Sequence, residues 1–241
     1  MKYNLVILCF LFSVPLFAQK DGTSILLRSY EELNKNTSLA YTSNYTFCGA
    51  GRYDTLNFYG NAHLLRKEED TVFVGLVWLG EHNNTYLFYD GFRLFMVDKH
   101  HFTVHIYQPT AHDNVLQSFT EALIMRDFLK PNELKDRIGK YEVVKYAGDT
   151  MIDGRDCYTI AAERTDRNSV KIIERICIEK NHFFPLFYAQ LYCFEMDNIP
   201  GQYQYSAFHV SAYDFAPINT AQFSSDQILK HQYAVHNHDS N

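Results

Sequence analysis

Apolar and polar positions alternate along much of the chain in short runs. Turn chemistry such as KEED, GEHNN and YDG separates the runs, which predicts consecutive antiparallel strands. The runs fall at about 41–48, 54–65, 71–80, 85–89, 92–98 and 102–108, and resume at 140–147, 156–163, 170–179, 185–196 and 203–215. Two stretches have a helical period instead. In DGTSILLRSYEELNKN, residues 21–36, Leu26, Tyr30 and Leu33 recur on one face, with Asp21 or Thr23 as the cap. In residues 109–139, Val115, Phe119, Leu123 and Met125 mark an amphipathic helix. Pro131 ends it and starts a second short helix over 131–138. The tail after Pro217 is expected to hold one short helix and then fray. The order is helix, meander, helical insertion, meander. That predicts an α+β fold in which a curved antiparallel sheet has its concave face covered by the helices.

One hairpin departs from simple alternation. In YLFYDGFRLFMVDKHHFTVHIYQ, residues 86–108, Leu87, Phe88 and Tyr89 run together, as do Leu94, Phe95, Met96 and Val97. A strand with one wet face should alternate. Folding about DKHH pairs Val97 with Phe102 and Phe95 with Val104, and Phe88 joins them from the preceding strand. Met96 with Thr103 and Leu94 with His105 then form the other, mixed face. The first face is expected to be concave, and a one-residue slip would reverse this. Leu26, Tyr30 and Phe119 of the helices complete the expected apolar lining. Whether such a face is an open ligand surface or filled core is not written in residue types.

The first residues change the picture of where the protein works. Lys2 precedes an apolar run from Leu5 to Phe17, and Ala18 followed by Gln19 is a fitting cleavage point, so residues 1–18 read as a secretory signal peptide. Residues 19–220 read as one domain and 221–241 as a partly disordered tail. The chain has 22 basic against 28 acidic residues and no basic block, so a nucleic-acid partner is not expected. Cys9 lies within the signal. Of the other four cysteines, none makes a CxxC. Folding the 156–179 hairpin about residue 167 sets Cys157 opposite Cys177, either as a cross-strand disulfide or as two small buried thiols.

Candidate chemistry is sparse. His101, Thr103 and His105 alternate on one strand, but no spacing supplies a third ligand, and His231, His236 and His238 sit in the tail. No metal or other cofactor is expected. There is no GxSxG, HExxH or glycine-rich phosphate loop, so no catalytic residue is singled out and an enzyme is not expected. A hydrolase using His and Asp on a rim remains a remote alternative.

Four stretches together resemble the LolA-like superfamily of periplasmic lipoprotein carriers. They are SILLRSYEELNK directly after the signal, FYGNAHLLRKEEDTVFVG, YDGFRLFMVD, and AGDTMIDGRDCYTIAAE with the hairpin IIERICIEKNHFFPLFYAQ; VSAYDFAPINTAQFSS resembles the family's closing strand. The resemblance implies an incomplete β-barrel with helices over its open, apolar, concave side. It implies a periplasmic or secreted monomer that binds a lipid, an acyl chain or an acylated protein, with an envelope protein as a further partner. The family's Arg–Pro pair is absent from LLRKEED, so its arginine is carried onto neither Arg52 nor Arg66. Similar modules precede thioredoxin-like domains, which leaves a non-enzymatic interaction module with a filled core as the alternative.

Overall fold

The computed structural model describes residues 21–50, 55–67, 75–82, 85–108, 128, 131–196, 199–219, 221, 224–226 and 232–238. The expected signal peptide, most of the 109–130 helix and Phe119 lie outside the described residues.

Helix α1 runs Gly22–Asn34. Asp21 caps it as expected: its carboxylate accepts from the backbone N–H of Thr23 at 3.2 Å and of Ser24 at 3.3 Å. Ile25, Leu26, Ser29 and Leu33 form its buried stripe. Helix α2, Pro131–Ile138, opens on proline, whose missing N–H costs nothing in a first turn.

The strands are β1 (Ser38–Cys48), β2 (Thr55–Arg66), β3 (Gly75–His82), β4 (Thr85–Tyr89), β5 (Leu94–Asp98), β6 (Thr103–Tyr107), β7 (Val143–Ile152), β8 (Arg155–Thr165), β9 (Lys171–Glu179), β10 (Pro185–Met196), β11 (Ile199–Asp214) and β12 (Ala234–His238). They form one sheet in the order β12-β6-β5-β4-β3-β2-β1-β11-β10-β9-β8-β7. Every pairing is antiparallel except β12 with β6, which is parallel. The sheet is not closed. Its backbone turns where the sequence demands: Asp153 and Gly154 both take positive φ, 48° and 75°, the pairing a two-residue hairpin between β7 and β8 requires.

The tail differs from expectation. Residues Ala234–His238 are a strand on the edge of β6, not a frayed end. The unpaired N–H and C=O groups along that edge satisfy a segment whose own pattern carries little strand signal.

Two apolar clusters hold the sheet. The larger joins Ile25, Leu26 and Leu33 of α1 to Leu39, Tyr41, Leu64, Val77, Leu87, Tyr89 and Leu94, and to Ile160, Ile176 and Phe208 at the other end. Cross-strand partners share a face, so these strand residues define one continuous side, the α1 face. The second cluster is Phe88, Phe95, Val97, Val104 and Ile106, with Leu65, Tyr86, Ile218 and Tyr233 packed on it. By the same alternation it lies on the opposite face. No helix among the described residues is long and apolar enough to cross a membrane.

Candidate functional site

The crowded hairpin is apolar on both sides because both sides are covered. Leu87, Tyr89 and Leu94 face the core that holds α1. Phe88, Phe95 and Val97, between them, face the other way and are 0% exposed under Ile218 and Tyr233. The register pairs Val97 with Val104 and Phe95 with Ile106, two residues from the expected pairing. A slip of two keeps every side chain on its face, so Phe88, Phe95, Val97 and Val104 do share one surface. Two expectations need correction. That surface lies away from α1, since the odd and even positions of β4 and β5 distribute themselves the other way. Phe102 has left the strand for the turn, with φ 52° and 65% of its surface exposed. Leu26 and half-buried Tyr30 belong to the α1 core, so the expected lining is divided between two faces.

Cys157 and Cys177 are on adjacent strands, as expected, but as diagonal neighbours: Cys157 is opposite Glu179, and Thr159 is opposite Cys177. Diagonal positions stand about 7–8 Å apart, beyond bridging reach. Both are free buried thiols. Burial, with Cys177 nearby, pushes the Cys157 thiol up to about 11, and burial raises Cys177 as well. Both are protonated and inert at neutral pH.

The α1 face carries a polar feature that pattern reading missed. Glu174 of β9 has a side chain with 0% exposure. Its carboxylate accepts from Arg137 of α2 at 3.0 Å, Arg164 of β8 at 3.2 Å, Gln190 of β10 at 3.2 Å and the Tyr141 hydroxyl at 2.5 Å. The Arg137 guanidinium also donates to the Tyr188 hydroxyl and lies 4.9 Å from that ring's centre. Burial holds the Tyr141 hydroxyl above its ordinary range, so it stays a donor. Donors from four directions occupy the carboxylate. The cluster ties α2 and three strands together. A signal existed: Glu174 stands between Ile172 and Ile176 on the inward alternation of VKIIERICIE.

Beyond this network the long strands β1, β2, β10 and β11 continue past the α1 core. On the α1 face of this extension stand Phe47 paired with Leu56, and Tyr192 and Phe194 two positions apart on β10. Phe47, Tyr192 and Phe194 are half-buried, and Leu56 is 48% exposed. None of the four belongs to either buried cluster. Ser206 and Gln204 of β11 stand between the two pairs on that face, so the four make two small apolar patches.

No family model matches the chain, and no curated protein matches it. Solved structures do. A LolA superfamily protein from Nitrosomonas europaea is 14% identical, over 86% of this chain and 99% of that one, with a TM-score of 0.38. A putative outer membrane lipoprotein-sorting protein domain from Vibrio parahaemolyticus is 11% identical over 86% and 99%, at 0.35. LprF from Mycobacterium bovis is 10% identical over 82% and 94%, at 0.47.

Proposed function

We propose that this protein is a non-catalytic carrier of an apolar group, an acyl chain, a lipid or a lipoprotein anchor, acting in the cell envelope after loss of residues 1–18. The observation that carries the reading is a pair of half-exposed apolar patches, Phe47 with Leu56 and Tyr192 with Phe194, on the face that α1 covers elsewhere. In this reading the α1 face is concave and the helices partly cover it. Gly22 packs so closely on β7 that a Cβ there would lie 2.8 Å from the Lys145 carbonyl carbon, while Asn34 at the other end accepts from Arg66 of β2, so α1 spans this face between those strands. Each methylene moved from water onto such a surface contributes ~0.8 kcal/mol.

A second reading has its own observation. The 0% exposure of Phe88, Phe95 and Val97 is the packing of a filled core and favours an interaction module without a ligand. Uptake of a fluorescent fatty acid, with native mass spectrometry of the purified protein, separates the two. The carrier takes up probe, and Phe47→Asp and Leu56→Asp weaken uptake on the order of tenfold while stability moves by about 0.5 kcal/mol or less. Wild-type protein that takes up no probe rejects the carrier and leaves the module.

A further inference from the structure

We propose that the imidazoles of His236, His105 and His238 form a pH-operated latch, which holds β12 on the edge of the sheet at neutral pH and releases it in mild acid. Strand pairing assembles a ladder that the sequence spacing did not. In the parallel register His236 is opposite His105, and His238 is opposite Tyr107. Residues two apart project from the same side of a strand, so all four rings stand on one side of this edge. There they interleave. The His105 ring centre lies 4.9 Å from that of His236 and 5.2 Å from that of His238, within 16° and 19° of parallel. His238 stacks in turn on Tyr107, at 4.7 Å and 11°. His105 is the middle rung between two rungs from β12.

What the ladder does depends on its protons. The His105 Nδ1 and His238 Nε2 atoms are 3.0 Å apart, a hydrogen bond in which one ring donates and the other accepts. A single added proton keeps it, because a protonated ring still donates to a neutral one. With both rings protonated, two N–H groups face each other and no lone pair is left between them. Repulsion adds to the loss. Two unit charges about 5 Å apart weaken an association about fourfold even at the dielectric of water, and a fully protonated ladder holds two such neighbouring pairs. The surroundings offset little of this. On β5, His105 is opposite uncharged Met96, and Asp98 on the same face is engaged at 2.7 Å by His101 of the turn, on which His100 packs. Lys99 lies over the ring of Tyr86, on the opposite face. On β6 the neighbours of His105 on its own face are Thr103 and Tyr107. Burial, and then the charges of His236 and His238, hold the His105 imidazole below its ordinary range, with Asp98 opposing. A base so held takes up more protons once released. Docking of β12 is therefore strongest above about pH 6.5, and weakens as pH falls from there toward the depressed value.

Position gives the release a consequence. Met96 and Tyr107 pack on the α1 core, whereas Tyr233, directly before β12, packs on the second cluster, so the ladder and Tyr233 are on opposite sides of the edge. The backbone N–H of Ala234 donates to the Phe102 carbonyl at 2.8 Å and holds Tyr233 in register with β6. Letting go of β12 lifts Tyr233 from the face that holds Phe88, Phe95 and Val97. Acid thus uncovers apolar surface on a sheet that otherwise keeps its fold.

Amide exchange of the full chain, read at each pH as protection relative to an unstructured peptide, tests this. Protection across 234–238 should fall on the order of tenfold between about pH 7.5 and pH 5.5, while exchange within β8 and β9 stays slow. Part of the loss should return in about 1 M salt, which screens charges beyond about 3 Å. His105→Asn, and separately the pair His236→Gln and His238→Gln, keep side chains that form hydrogen bonds and do not titrate. Each should flatten the pH dependence to about twofold or less. His209→Gln on β11, far along the sheet, should leave it as in the wild type. Constant protection of wild-type 234–238 over this range overturns the proposal. So does the full fall in either ladder variant, or a fall that spreads equally to β8 and β9, which would assign the acid response to the fold as a whole.

Discussion

The two apolar clusters are equally dry and differently sealed. The α1 core is closed by a helix that packs on β7, β8 and β9, and it is bolted by a buried carboxylate with two guanidiniums. The second cluster has a cation on one ring, the Arg93 guanidinium 5.1 Å from the centre of Phe95, and no ion pair like that of Glu174 among the described residues that pack on it. Leu65 and Tyr86 of the sheet pack on it together with Ile218 and with Tyr233, which directly precedes β12, a strand whose every residue is exposed. A seal made of a helix and an ion network is cooperative with the whole fold. A seal made of one edge strand can open alone. The contrast gives the sheet one permanent face and one conditional face.

Removing Glu174 should have the largest effect. Glu174→Ala leaves Arg137 and Arg164 facing each other in a buried place and should cost about 3–5 kcal/mol in urea unfolding. The buried thiols of Cys157 and Cys177 report the same loss. Their labelling rate should rise on the order of a hundredfold or more if exposure follows global opening. A loss under about 1 kcal/mol would mean that the network is not what distinguishes the two regions. Phe95→Ala comes next. Its ring packs on Phe88 with centroids 5.5 Å apart, and truncation should cost about 3 kcal/mol. Because the conditional face depends on that packing, exchange at 233–238 should accelerate more than exchange within β8 and β9. Uniform acceleration would make the two clusters one cooperative unit.

The sequence disclosed the architecture in proportion to how local its causes were. Asp21 and the Leu26–Leu33 stripe announced α1, because a cap and a helical period are decided within a few residues, whereas β7 runs on to Ile152, past the expected end at 147, into a two-residue turn at Asp153–Gly154. Which residues share a face was also legible, since a period of two survives a two-residue error in register; Phe95, Val97 and Val104 kept their company while Phe102 dropped into the turn. Which face meets α1 was not legible, because that is settled by packing between α1 and the strands. Nor was the stacking of His105 on His236 and His238, since His105 and His238 are 133 residues apart and meet through an edge pairing with no local signature. Glu174 stood between two isoleucines on an inward parity. It was an anomaly that pattern reading flattened into a generic strand.

The smallest effect is the most discriminating. Tyr233 is half-buried, packs on the second cluster, and has its ring 6.4 Å from that of exposed Phe102. Tyr233→Ala removes part of the lid while leaving Phe88, Phe95 and Val97 intact beneath it. A partly exposed aromatic of this kind should contribute about 1 kcal/mol, and that contribution belongs to docking of β12 and not to the sheet. The urea midpoint should therefore hardly move, while amide exchange at 234–238 quickens about fivefold, the factor that 1 kcal/mol represents. Exchange at β4 and β5, paired on both sides within the sheet, should stay slow. If Tyr233→Ala lowers the midpoint as much as Phe95→Ala does, the tail is an integral part of the core and the conditional face is no face apart. If exchange at 234–238 does not change, Tyr233 is not the residue that holds β12, and the backbone pairing to β6 holds it alone.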